Sequence, residues 1–156
     1  MKKLKILRVI LIILIFLWTC LIFSFSSQDG GESSGLSRKV VEFFVKDPEL
    51  VNRIEPYARK VAHFCEYGLG GILFISLFST YEWTDERKII ISILLGIWYA
   101  SMDEIYQLMI PGRSGALKDV YIDSLGVATG VIGMMIVTKS VDLIKANRQN
   151  NIKVND

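Results

Sequence analysis

From Val9 to Phe25 the chain carries no charged residue, and Thr19, Cys20 and Ser24 are the only breaks in an otherwise hydrocarbon run. A helix rises about 1.5 Å per residue, so this run reaches across most of a hydrocarbon core roughly 30 Å thick. Three more apolar blocks follow, each closed by a polar stretch. In lipid every backbone N–H and C=O must be satisfied within the chain itself, which leaves helices or a closed barrel. Continuous apolar blocks of this length predict helices. The expected fold is therefore all-α: an integral membrane four-helix bundle with spans near residues 6–25, 60–81, 89–107 and 119–138. These belong to one transmembrane domain, 1–138, followed by a polar tail, 139–156, that is expected to fray.

Lys2, Lys3, Lys5 and Arg8 stand before the first block. The block is longer than the apolar region of about 7 to 15 residues in a cleaved signal, so a retained helix is favoured. Basic residues are otherwise divided almost evenly between the two sides. The dense leading cluster decides the orientation, with both termini in the cytoplasm. A net charge of +2 is too small to indicate a nucleic-acid partner. The expected partner is the lipid bilayer, and the glycine-rich helix faces would also allow a homo-oligomer. Cys20 and Cys65 both fall inside apolar blocks, and no disulfide between them is expected.

The first external loop has its own pattern. Leu36, Val40, Phe43 and Phe44 fall at helical spacing among Arg38, Lys39 and Glu42, which predicts a short amphipathic helix. Asp47-Pro48-Glu49 then restarts a helix with a capping side chain, proline in the first turn and a negative charge suited to the helix dipole. This loop either lies on the bilayer surface or forms a lid over the polar residues beside it.

Those polar residues are the second constraint. His63 and Glu66 open the second span, Asp103, Glu104 and Gln107 close the third, and Asp119 and Asp123 open the fourth. Four spans crossing in alternate directions bring these three ends to one side of the membrane. Spacings of three and four place His63 with Glu66, Asp103 with Gln107, and Asp119 with Asp123 on common helix faces. Gly126, Gly130 and Gly133 continue the Asp119–Asp123 stripe, and small residues at that spacing let helices approach closely. The acidic face of the fourth span should thus look inward. A charged group at membrane depth costs several kcal/mol unless it meets a partner, an ion or water, so the cluster is expected to line an outward-facing polar pocket.

The same residues carry a family resemblance. Lys60-Val-Ala-His63-Phe-Cys-Glu66-Tyr67-Gly68, Asp103-Glu104-Ile-Tyr-Gln107, Pro111-Gly112-Arg113-Ser-Gly115, and Asp119 followed by Gly126 resemble the signature of the VanZ-like membrane proteins. Ser26-Ser27-Gln28 after the first span fits as well. The resemblance covers roughly residues 1–138, and departs where the family usually has Asn and this chain has Asp123. It implies a small multi-pass protein of the bacterial cytoplasmic membrane. Some members of that family are associated with resistance to teicoplanin-type glycopeptide antibiotics.

Three functions from different classes fit the cluster. The first is enzymatic: metal-assisted hydrolysis or transfer on a lipid-linked phosphate, with His63, Glu66, Asp103 and Glu104 as the catalytic groups. Here Lys60, Tyr67, Gln107 and Arg113 would hold the substrate, and Asp103, Asp119 and Asp123 a divalent ion. The second is a transporter or proton-coupled binding protein that accepts a polar headgroup. The third is a non-catalytic structural membrane protein, in which Arg113, Lys60 and Lys118 neutralise the acids and fix the bundle. Binding or modification of an envelope lipid or lipid-linked wall precursor ranks first.

Overall fold

A computed structural model of the chain describes residues 2–28, 30–113 and 116–155. They form α1 (Lys2–Ser26), α2 (Gly30–Phe44), α3 (Pro48–Phe78), α4 (Asp85–Gln107) and α5 (Leu117–Asn155), with no strand among the described residues. α1, α3, α4 and α5 are each long and apolar enough to cross a membrane. The expected all-α, four-span architecture is what the chain adopts.

Two element bounds differ from the sequence reading. Asp47 caps α3 by accepting from the Glu49 amide at 2.9 Å, and Pro48 occupies the first turn. The helix begun there does not stop, but continues through Pro56 into the second span. Pro56 removes one backbone donor, yet the 31-residue helix stays continuous. At about 1.5 Å per residue α3 is roughly 46 Å long, more than a hydrocarbon core requires. Its first turns are free to meet α2, which folds back along them. Arg38 donates to Asn52 Oδ1 at 2.7 Å, and Val41 and Val51 are buried. At the other end of the chain, α5 runs on past Lys139 to Asn155, beyond the expected end of the fourth span. Extending an existing helix needs no new nucleus, and Leu143, Lys145 and Ala146 are good helix formers.

Between apolar helices in lipid there is little hydrophobic driving force, so close packing has to hold the bundle together. α3 and α5 form its most extensive pair. A Cβ on Gly126 would collide with the Phe64 carbonyl, and one on Gly130 with the carbonyl of Gly68. One on Gly71 would meet the Val127 carbonyl in the same way, so the two backbones lie in direct contact. The close seam ends at Gly130, because nothing approaches within 4 Å of a Cβ built at Gly133. α1 joins through Trp18. Its ring meets Tyr67, Phe74 and Tyr99 edge-on at centroid distances of 5.9, 5.5 and 5.5 Å, and its Nε1 donates to the Glu66 carbonyl at 2.9 Å.

The two ends of the bundle are distinct. At one end Arg8 of α1 donates to Thr80 Oγ1 at 3.0 Å and lies 4.1 Å over the Tyr81 ring, while Lys139 of α5 pairs with Asp85 of α4 at 3.1 Å. The end of α1, the end of α4 and the start of α5 gather at the other, where the polar cluster is.

Candidate functional site

Three helices deliver the cluster. His63 sits four turns into α3 on the stripe that carries Glu55, Arg59 and Glu66. Asp103, Glu104 and Gln107 fill the last turns of α4, and Asp119 and Asp123 the first turns of α5. Asp103 and Asp123 are both only 1% exposed. One ligating atom from each of His63, Asp103 and Asp123 lies within 4.8 Å of the others. His63 Nδ1 and Asp123 Oδ1 are 3.7 Å apart, beyond hydrogen-bond reach.

The surroundings of Asp103 are asymmetric. Oδ2 accepts from Gln107 Nε2 at 2.9 Å, and the same amide nitrogen lies 3.3 Å from Ser26 Oγ on α1. Oδ1 has no hydrogen-bond partner among the described residues. The same is true of both oxygens of Asp123, of Glu104 Oε2, of His63 Nδ1 and of the fully buried Tyr67 hydroxyl. Buried polar groups in folded proteins are almost always paired, so this concentration of unpaired atoms sets the cluster apart.

Two cavities flank His63 and Arg59, which line both. The first, about 240 Å³, lies between α3 and α5 and is walled by Glu55, Pro56, Lys60, Gln107, Asp119, Ile122 and Asp123. The second, about 100 Å³, lies toward α1 and α2, with Glu66, Tyr67, Asp103 and Arg113 facing the apolar Ile22, Phe25, Leu36 and Ala62. Leu36 and Ser37 bring α2 to the wall of the second cavity, as a cover over the cluster would.

The loop between α4 and α5 lies at the polar end of the bundle. Gly112 adopts φ 73°, the left-handed conformation that favours glycine, and so turns the chain there. Arg113 follows. Its Nε donates to the Gln28 carbonyl at 3.1 Å, Nη1 to Gln107 Oε1 at 3.2 Å and Nη2 to the Phe25 carbonyl at 2.9 Å. Burial, with the Arg59 charge added, lowers the Arg113 pKa from its ordinary value, though an arginine remains charged. Glu104 Oε1 accepts from the Ala116 amide and ties the far side of the loop to α4. Ser114 and Gly115, part of the Pro-Gly-Arg motif, lie outside the described residues.

Each residue singled out in the sequence therefore has a place. His63, Asp103 and Asp123 meet; Glu66 and Tyr67 line the α1 side; Lys60, Gln107 and Asp119 line the α5 side; Glu104 and Arg113 hold the loop. Asp119 is half-buried one turn from Asp123 and is not in the close group of three. Arg59 and Glu55 also line the site. Both lie on the His63 stripe at intervals of four, a periodicity legible in the sequence.

Four helices long and apolar enough to cross a membrane, packed around a polar cluster at one end of the bundle, define the class as a polytopic membrane protein. A family profile described as VanZ/LLP1 matches residues 11–138, and the chain belongs to that family. Neither the curated proteins nor the solved structures gave a match.

Proposed function

We propose that this VanZ-type protein binds the anionic headgroup of an envelope lipid or lipid-linked wall precursor. The headgroup enters the cavity between α3 and α5 on the outer side of the bacterial cytoplasmic membrane, with both termini inside. The observation that carries this reading is the set of buried, unpaired polar atoms on His63 and Asp123, which line that cavity, and on Asp103, which lines the adjoining one. Unpaired groups at membrane depth are costly, and a polar ligand relieves the cost. Lys60 and Arg59 supply the cationic contacts to a phosphate, while Pro56 and Ile122 offer the less polar part of the same wall. Where binding leads to hydrolysis or transfer, His63 and Glu66 are the proton-transfer groups. The envelope phenotype that follows is altered susceptibility to teicoplanin-type glycopeptides.

The test is native mass spectrometry of the full chain released from nanodiscs containing phosphatidylglycerol or undecaprenyl phosphate. Retained anionic lipid in the wild type, reduced about tenfold, or ~1.4 kcal/mol, in the Arg59→Gln/Lys60→Gln double variant is the expected result. Equal retention by both proteins removes the assignment.

A further inference from the structure

The site contains a contradiction that the headgroup reading alone leaves standing. The cationic residues of the α3–α5 cavity are Arg59 and Lys60, but the most buried charged groups of the site are two carboxylates, Asp123 lining that cavity and Asp103 lining the adjoining one, and a phosphate entering would meet their charge. His63, if protonated, could neutralise only one. We infer that His63, Asp103 and Asp123 form a divalent-cation site, and that the ion joins the acidic floor to the anionic headgroup. This rests on the headgroup reading above and deepens it.

Geometry carries the assignment. Nitrogen and oxygen ligands bind a small divalent ion at about 2.0 to 2.2 Å, and the three donors lie within 4.8 Å of one another, so that small side-chain movements bring them onto one ion. Asp103 and Asp123 are 1% exposed, and three of their four carboxylate oxygens lack a partner among the described residues. Asp103 is oriented from behind. Gln107 holds Oδ2, and Arg113 in turn holds the Gln107 carbonyl oxygen, so that Oδ1 is left as the free donor. Such outer contacts are how proteins aim carboxylate ligands. Charge among the three ligands agrees, because two carboxylates and a neutral imidazole offset a doubly charged ion inside a medium that penalises net charge. The mixed donor set suits Mn²⁺ or Zn²⁺, which take imidazole as well as carboxylate. Three protein ligands leave coordination positions open toward the cavity, as sites that receive a ligand require.

The test uses the full chain in detergent, stripped with EDTA and dialysed, and titrated calorimetrically with MnCl₂ and with ZnCl₂ alone. One ion per chain is expected. Affinity should fall at least about tenfold in Asp103→Asn, Asp123→Asn and His63→Gln, and stay at the wild-type value in Asp142→Asn on the exposed part of α5. A second measurement needs only the wild type: Co²⁺ in place of the native ion should give visible d–d bands, which EDTA abolishes. Absence of ion binding to the wild type, or binding undiminished by the three ligand variants, overturns the inference. Lipid retention measured in EDTA separates the two readings. Lipid held by a chain that binds no ion overturns the ion site alone. Ion bound by a chain that retains no anionic lipid overturns the headgroup reading, and leaves the three ligands standing.

Discussion

Arg113 Nη1 donates to Gln107 Oε1 at 3.2 Å, and this one contact fixes which way the Gln107 amide faces. With its oxygen held, the amide must present its nitrogen to Asp103 and Ser26. Arg113 spends its other donors on carbonyls at the end of α1, so one side chain couples the α4–α5 loop, the first span and the orientation of a buried carboxylate.

Arg113→Lys should therefore disturb more than a charge. A lysine ammonium is a point donor on a flexible stem and cannot reproduce a planar fork that reaches three acceptors. Hydrogen bonds to charged groups contribute about 1.5 to 3 kcal/mol each at most, and relaxation recovers part of this. The variant should lose ~2 kcal/mol, read as a lower thermal midpoint in detergent. An unchanged midpoint would show that the loop is held by other contacts.

The α3–α5 seam makes a graded prediction. Gly126→Ala and Gly130→Ala each drive a methyl group into a backbone carbonyl, which cannot rotate aside, and overpacking of this kind typically costs about 1 to 3 kcal/mol. Gly133→Ala meets open space and should stay within about 0.5 kcal/mol of the wild type. Parallel melts of the three variants decide the matter, and equal losses at all three positions would contradict the direct backbone contact.

Much of this architecture was legible in the residues. Apolar block length defines the spans, and alternate crossing by itself brings His63 and Asp123 to one end. What could not be read was set by tertiary contact. The helix restarted at Asp47-Pro48 reads as separate from the span that opens near residue 60, but α2 packs along the early turns of α3 and the helix runs through without a break. The Pro-Gly-Arg loop reads as a phosphate grip, but three Arg113 nitrogens are engaged within the protein, because the end of α1 comes within reach of the loop. Gly133 shares a stripe with Gly126 and Gly130, yet periodicity does not tell where two crossing helices diverge. Arg59 belongs to the same face as His63 and was recoverable by spacing alone.

Trp18 gives a prediction about how the first span is attached. Trp18→Phe keeps an aromatic ring against Tyr67, Phe74 and Tyr99 but loses the donor to the Glu66 carbonyl, and should cost about 1 kcal/mol. Trp18→Ala removes the ring contacts as well and should cost about 3 to 5 kcal/mol. If the two substitutions were equally damaging in thermal melts, the hydrogen bond and not the ring packing would be what secures α1.

Orientation is tested by labelling. In a background with Cys20→Ala and Cys65→Ala, single cysteines are introduced as Lys60→Cys, beside the cavity, and as Lys139→Cys, beside Asp85 at the far end of the bundle. On the proposed orientation, which follows the dense basic cluster before α1, that far end lies in the cytoplasm. In intact cells a membrane-impermeant maleimide should modify the cysteine at position 60 and leave the one at 139 untouched until the membrane is opened. The reverse pattern would turn the site toward the cytoplasm and remove an external wall precursor as its ligand. Modification of both in intact cells would be incompatible with helices that cross in alternate directions between these two positions, and with the convergence of α3, α4 and α5 that builds the site.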